Sequence, residues 1–208
     1  MKIKKILAAT LAATMVMASA LTVCATTTTS GGSGSSSSSG TVAPSEIKAE
    51  GAAMEVAGVK VQTTIAGGYA AKTVAGTAVV TPMAEVKANL GLKDGQTPYI
   101  IVYDTDAEKS HLAMDCVNAA IEALAAELVA TINVDLGAKE NGQFVSLTNG
   151  SIGMKVGLPS GVDTTKTYSV ICVQPGGVVT ILEDQDLNPN TVTFEVKAGL
   201  GTYALAAK

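Results

Sequence analysis

The 208-residue chain has no arginine and no tryptophan, and it holds one histidine, three cysteines and two phenylalanines. Arginine is the forked donor that phosphate and carboxylate sites favour. Its absence, with 18 acidic against 14 basic residues and a net charge of −4, excludes an extended nucleic-acid surface. The same balance disfavours anionic lipid surfaces. Without tryptophan the chain lacks the large flat ring on which sugars stack best. Tyr69, Tyr99 and Tyr103 remain as stacking candidates, although Tyr99 and Tyr103 fall in an apolar run that reads as strand packing. His111 stands alone beside Leu112 and near Asp115. A general base needs a nucleophile and an orienting group, so this residue reads as a solvated histidine on a helix flank. No serine sits in a Gly-x-Ser-x-Gly elbow, and no Cys-x-x-Cys or Cys/His spacing suggests zinc or thiol redox chemistry. With so few aromatics, the core has to be built from Val, Ile, Leu and Ala.

The beginning of the chain carries a strong signal. Lys2, Lys4 and Lys5 precede an apolar run from Ile6 to Val23, which is followed by small residues and a Ser/Thr/Gly tract. Charged start, hydrophobic segment and small-residue zone are the order of a cleaved export signal, expected over residues 1–25. Two sites fit cleavage, after Ala20 within Ala18-Ser19-Ala20 or after Ala25 within Val23-Cys24-Ala25. Leu21-Thr22-Val23-Cys24 also looks like a lipobox, which would place a lipid on Cys24, although Val23 is bulkier than the usual Gly, Ala or Ser. Removing residues 1–25 takes away three lysines and leaves the mature chain at −7. The mature form is expected to have no transmembrane span and to be secreted or held at the cell surface, as a lipoprotein if Cys24 is acylated. Residues 26–45 are nearly devoid of apolar side chains and read as a disordered tether.

Residues 46–208 read as a single α+β domain, mainly an antiparallel, β-sandwich-like structure with one or two helices in its N-terminal half. Val59, Val61, Thr63 and Ile65 alternate as in a half-buried strand, and Thr77 to Thr81 reads as another. Thr81 fits an N-cap, Pro82 a first helical position, and Met83, Val86, Ala88 and Leu90 one face of a short helix that Gly91 ends. Tyr99 to Tyr103 reads as a strand buried on both faces. Leu112, Cys116, Ala119, Ala120, Ala123 and Leu124 predict a helix within Asp106 to Ala126. From about residue 128 the pattern is all β. Strands are expected at Leu128 to Leu136, Gln143 to Leu147 after the Asn141-Gly142 turn, Ile152 to Leu158, Tyr168 to Val173, Val178 to Leu182, Thr191 to Val196 and Thr202 to Ala206. Ile152, Met154, Val156, Val170, Val192 and Phe194 are the expected core.

Two clusters bear on chemistry. Cys116 and Cys172 are an even pair in an exported chain, so a disulfide is permitted, yet both lie among apolar residues where a thiol packs as a small hydrophobe. Asp184, Asp186, Asn188 and Asn190, followed by Glu195, have the oxygen spacing of an EF-hand calcium loop. Pro189 stands where that loop needs glycine, and Glu195 falls in a strand, so a polar hairpin loop is the competing reading. Calcium is the one cofactor the sequence raises.

Ile152-Gly153-Met154-Lys155-Val156-Gly157-Leu158-Pro159, Tyr168-Ser169-Val170, Pro175-Gly176-Gly177 through Leu182, Val192-Thr193-Phe194-Glu195-Val196 and Gly201-Thr202-Tyr203-Ala204-Leu205 together resemble the closing β-module of uncharacterised secreted proteins of clostridia-type bacteria. The last strand of that group often reads Phe-Ser-x-Tyr-Ala, where this chain has Leu200 and Gly201. The resemblance implies an Ig-like sandwich in an extracellular protein and brings no catalytic residues. The expectation is therefore an exported, non-catalytic extracellular or cell-envelope interaction module whose ligand is unassigned. The alternative is a secreted hydrolase whose acids meet only in the fold.

Overall fold

The described residues are mostly β-structure with two α-helices and form an α+β fold of sandwiched sheets. The computed structural model describes residues 20–21 and 42–208. Apart from Ala20 and Leu21, the expected signal peptide lies outside the described residues, as do Cys24 and the tether up to Thr41. In chain order the elements are β1 (Ala20–Leu21), β2 (Ile47–Lys48), β3 (Ala53–Val56), β4 (Val59–Gln62), β5 (Ala66–Tyr69), β6 (Thr77–Val79), α1 (Met83–Asn89), β7 (Gln96–Asp104), α2 (His111–Leu124), β8 (Glu127–Glu140), β9 (Gln143–Ser146), β10 (Ser151–Gly157), β11 (Tyr168–Gln174), β12 (Val178–Glu183), β13 (Thr191–Lys197) and β14 (Gly199–Ala207).

The large sheet runs β1-β12-β11-β14-β8-β7-β5-β2, with β9 as a branch on β8. Its pairings are antiparallel except β5 with β7. A three-stranded sheet, β13-β10-β6, lies against one face of it, and β3 and β4 form a separate hairpin. The period of two in each strand explains the layering. Ile100 and Val102, Ile132, Val134 and Leu136, Tyr203 and Leu205, and Val170 and Cys172 point inward to meet Ile152, Met154, Val156, Val192, Phe194 and Val196 of the small sheet in one core. All six core residues expected from the sequence are fully buried. The opposite parity of the large sheet, Ile171, Val173, Val179, Ala204 and Ala206, packs under Cys116, Val117 and Ala120 of α2 in a second, smaller cluster. The helix therefore packs mainly over β11, with β12, β14 and β8 at its margins.

Several local expectations change in detail. Thr81 does not cap α1. Its hydroxyl accepts the Gly153 backbone N–H at 2.6 Å, joining β10 to the residues after β6, and Pro82 occupies the N-cap without a side-chain hydrogen bond. Helix α2 begins at His111 because Asp106 Oδ1 accepts the N–H groups of Glu108 and Lys109 in a preceding turn. Val59 is exposed, whereas Thr63 and Ile65 are fully buried beyond the end of β4. Residues 42–45, expected in the tether, belong to the fold. Val42 packs where a Cβ on Gly68 would stand, and Pro44–Glu46 forms one 3-10 turn. Gly76 is held at φ +88, and any Cβ there would lie 1.8 Å from the Glu55 carbonyl oxygen, so only glycine lets this loop close on β3. Asn141 and Gly142 both take positive φ, as a two-residue hairpin turn requires, and link β8 to β9.

Candidate functional site

The Asp/Asn loop between β12 and β13 folds over the outer side of the small sheet. Successive side chains catch the backbone two residues on: Asp184 Oδ1 accepts Asp186 N at 2.8 Å, Asp186 Oδ1 accepts Asn188 N at 3.0 Å, and Asn188 Oδ1 accepts Asn190 N at 3.0 Å. Asp184 Oδ1 also accepts Thr193 N. Asp186 Oδ2 is ion-paired with Lys155 of β10 and accepts the hydroxyls of Thr191 at 2.6 Å and Thr193 at 3.0 Å. Partial burial pushes the Asp186 carboxyl up, but the Lys155 ammonium and the hydroxyl donors outweigh it and hold it well below the usual carboxylate range. Asp184 goes the other way, raised by burial. The residues expected to ligate calcium are thus brought together, with oxygens of Asp184, Asp186 and Asn188 directed at protein donors, the Asn190 amide donating to Asn188, and a lysine ammonium supplying the positive charge. Glu195 lies in β13 beside Gly153, away from the loop. Among the described residues, no group of three His, Cys, Asp or Glu side chains is placed to hold a metal ion.

The other sequence candidates are dispersed. His111 is exposed at the first turn of α2. Cys116 lies on the buried side of α2, against the outer face of the large sheet, and Cys172 in the core on the sheet's inner face, so the sheet separates them and both remain thiols. Burial pushes the Cys172 thiol up. Tyr69 is buried in the core, where it exchanges a hydrogen bond of 2.6 Å with Thr63 and donates to the Ile65 carbonyl. Tyr99 is covered by the Lys139 ammonium, 3.7 Å from its ring centroid, and by the edge of Phe144. Tyr103 is half-buried on the outer face.

That outer face carries the most unusual chemistry of the molecule. Strand β8 sends Ile132, Val134 and Leu136 into the core, so Thr131, Asn133 and Asp135 must point outward. Register places Ile101 of β7 and Leu200 of β14 on either side of Asp135, and Tyr103 and Thr202 on either side of Asn133. Asn133 is satisfied, its Oδ1 accepting Thr202 Oγ1 at 2.7 Å and Thr105 Oγ1 at 3.3 Å. Asp135 is not. It is 9% exposed, and its Oδ1 is the one buried side-chain nitrogen or oxygen among the described residues that has no hydrogen-bond partner. Desolvation raises its carboxyl above the ordinary range. Ile101, Tyr103 and Leu200 around it are half-buried. At the end of β7, Asp104 Oδ1 accepts the N–H groups of Lys72 and Thr73, each at 2.8 Å, and so ties the loop after β5 to the rim of this face.

Sequence reasoning missed Asp135 because a polar residue at every second position of an apolar strand reads as ordinary solvent-facing alternation. The signal that could have found it is the composition of its neighbours. Ile101 and Leu200 put large apolar side chains at outward positions, and only strand pairing shows that they flank one carboxylate.

No helix among the described residues is long and apolar enough to cross a membrane. No family model, curated protein or solved structure matches the chain.

Proposed function

We propose that the protein is an exported, non-catalytic interaction module of the extracellular space or cell envelope, and that its contact surface is the outer face of β7, β8 and β14 beside α2. The observation that carries this reading is Asp135, a buried carboxylate without a donor set among half-buried Ile101, Tyr103 and Leu200. An unsatisfied buried polar group costs about 1–3 kcal/mol, and more when charged. Inside a fold such a cost brings no structural return, whereas a partner that supplies the missing donor recovers it. The charged, apolar and small-residue order of residues 1–25 supports export. The resemblance of the C-terminal third to modules of secreted clostridial proteins supports an extracellular setting.

The test is binding of the fluorescently labelled protein to cell-envelope fragments of the producing organism. The reading expects saturable binding that unlabelled protein displaces, at least tenfold weaker binding for Ile101→Glu, and no change for His111→Ala. Absence of saturable binding, or equal binding by a folded Ile101→Glu variant, would contradict it.

A further inference from the structure

An open sheet has to protect the backbone groups of its outermost strands, or they pair with another chain. Most outer strands of this fold are protected. β2 and β6 end their sheets but are two and three residues long. β13 is longer, yet the loop after β12 lies along its free side: Thr193 donates its N–H to Asp184 Oδ1, and the Thr193 carbonyl accepts Gln185 N at 2.8 Å. β12 differs. Its six residues, Val-Val-Thr-Ile-Leu-Glu, are rich in β-branched side chains, carry one charge and include no proline, a composition that favours strand pairing. β11 holds one side of β12 along its full length. On the other side β1 pairs in the antiparallel sense with Thr180 and Val179, through Ala20 and Leu21.

β1 falls inside the segment whose charged, apolar and small-residue order reads as a cleaved export signal. Cleavage at either expected site takes Ala20 off β12, and cleavage after Ala25 takes Leu21 as well. The edge left behind is one on which an antiparallel strand already fits, and β12 of a second copy meets that requirement. A two-fold axis perpendicular to the sheet at Thr180 sets Thr180 opposite its own copy, Val179 opposite Ile181 and Val178 opposite Leu182. Residues paired in this register share parity, so Val179 and Ile181 stay on the α2 side of the sheet and Leu182 on the core side. Glu183 falls opposite Gly177, so no like charges face each other. The pairing covers Val178, which is 53% exposed, and the half-buried Ile181 and Leu182. Contact about such an axis is isologous and closes at two copies.

We propose that β12 is a dimerisation edge, held in the precursor by Ala20 and Leu21 and, once they are released, taken by β12 of a second copy, so that two large sheets become one. The edge is separated from β8 by β11 and β14 and does not depend on the outer face of β7, β8 and β14.

The experiment follows sedimentation of the full chain across micromolar concentrations. Ala20→Pro with Leu21→Pro removes the backbone donors of β1 and frees β12 without shortening the chain. The wild type should self-associate at least tenfold more weakly than this released variant, and amide exchange in β12 of the released variant should slow as the dimer forms. Val178→Lys, at an exposed position where the fold tolerates it, sets a charge against Leu182 of the second copy and should return the released variant to monomer with an unchanged melting curve. A released variant that stays monomeric throughout that range, equal self-association of wild type and released variant, or dimerisation that Val178→Lys leaves intact would overturn the proposal. A monomeric released variant whose β12 amides become protected when envelope fragments are added would also overturn it, and would assign the edge to a foreign strand.

Discussion

Replacing Phe194 by alanine should remove a large share of the protein's stability. Phe194 sits at the middle of β13, opposite Met154 of β10, and is fully buried. Its ring lies 5.5 Å from that of Tyr203, tilted by 31°, and so bridges the small sheet to β14 of the large one. Truncation of a buried phenylalanine costs about 3–5 kcal/mol through lost transfer energy and the cavity left behind. Of this, about 0.5–1.5 kcal/mol belongs to the aromatic pair. For a chain of this size each kcal/mol moves the midpoint by about 2–4 °C, so the variant should melt roughly 6–20 °C lower. Phe194→Leu keeps most of the apolar volume and should lose less than half as much. Urea unfolding followed by circular dichroism measures both, and an unchanged slope shows that the unfolded state is not what moved. A loss below about 1 kcal/mol for Phe194→Ala would mean that the two sheets do not share the core described here.

Three further outcomes follow from the same structure. Gly76→Ala forces a Cβ against the Glu55 carbonyl at a positive φ, so the variant should be strongly destabilised or fail to accumulate as folded protein, whereas Gly161→Ala, also at positive φ but with open space around its Cβ, should cost far less; thermal melts of the two compare them. The Asp186 carboxyl is held low in the folded state, so its contribution to stability is fully present above the unfolded aspartate value of about 3.9 and is lost as pH falls below it; Asp186→Asn should flatten the acid limb of a plot of stability against pH. Asp135 is raised and carries the opposite sign, penalising the fold once ionised, so Asp135→Asn should match or exceed the wild type in stability at neutral pH and gain least in acid, a difference that denaturant titrations at several pH values resolve.

Periodicity made much of the fold legible. Alternation in Ile152 to Val156 and Thr191 to Val196 placed the inner residues of the small sheet, and Asn141-Gly142 marked the β8–β9 hairpin of the large one, because both signals are local. The helical spacing of Cys116 and Ala120 likewise located α2 to within a few residues. What stayed hidden depended on contacts distant in sequence. Thr81 looked like a cap because its partner, Gly153, lies on another strand, and the energetic preference for that buried bond exceeds the local capping signal. Cys116 and Cys172 read from their apolar neighbours as buried thiols with a disulfide still permitted, and the sheet that runs between them is what excludes the bridge. The Asp184 to Asn190 loop was recognisable as a chain of acidic and amide side chains, but Lys155, which fills its charge requirement, lies on β10 and has no sequence link to it. Asp135 was least visible of all, since its burial arises from two residues brought alongside by strands on either side.

The adjacent isoleucines of β7 offer the most direct test of the interaction face. Ile100 points into the core and Ile101 points out beside Asp135. With isoleucine methyl groups labelled, titration with envelope fragments of the producing organism should broaden or shift the Ile101 signal progressively and leave Ile100 in place. Equal response of both residues, or a saturating titration in which Ile101 does not move, would contradict the assignment of this face as the contact surface.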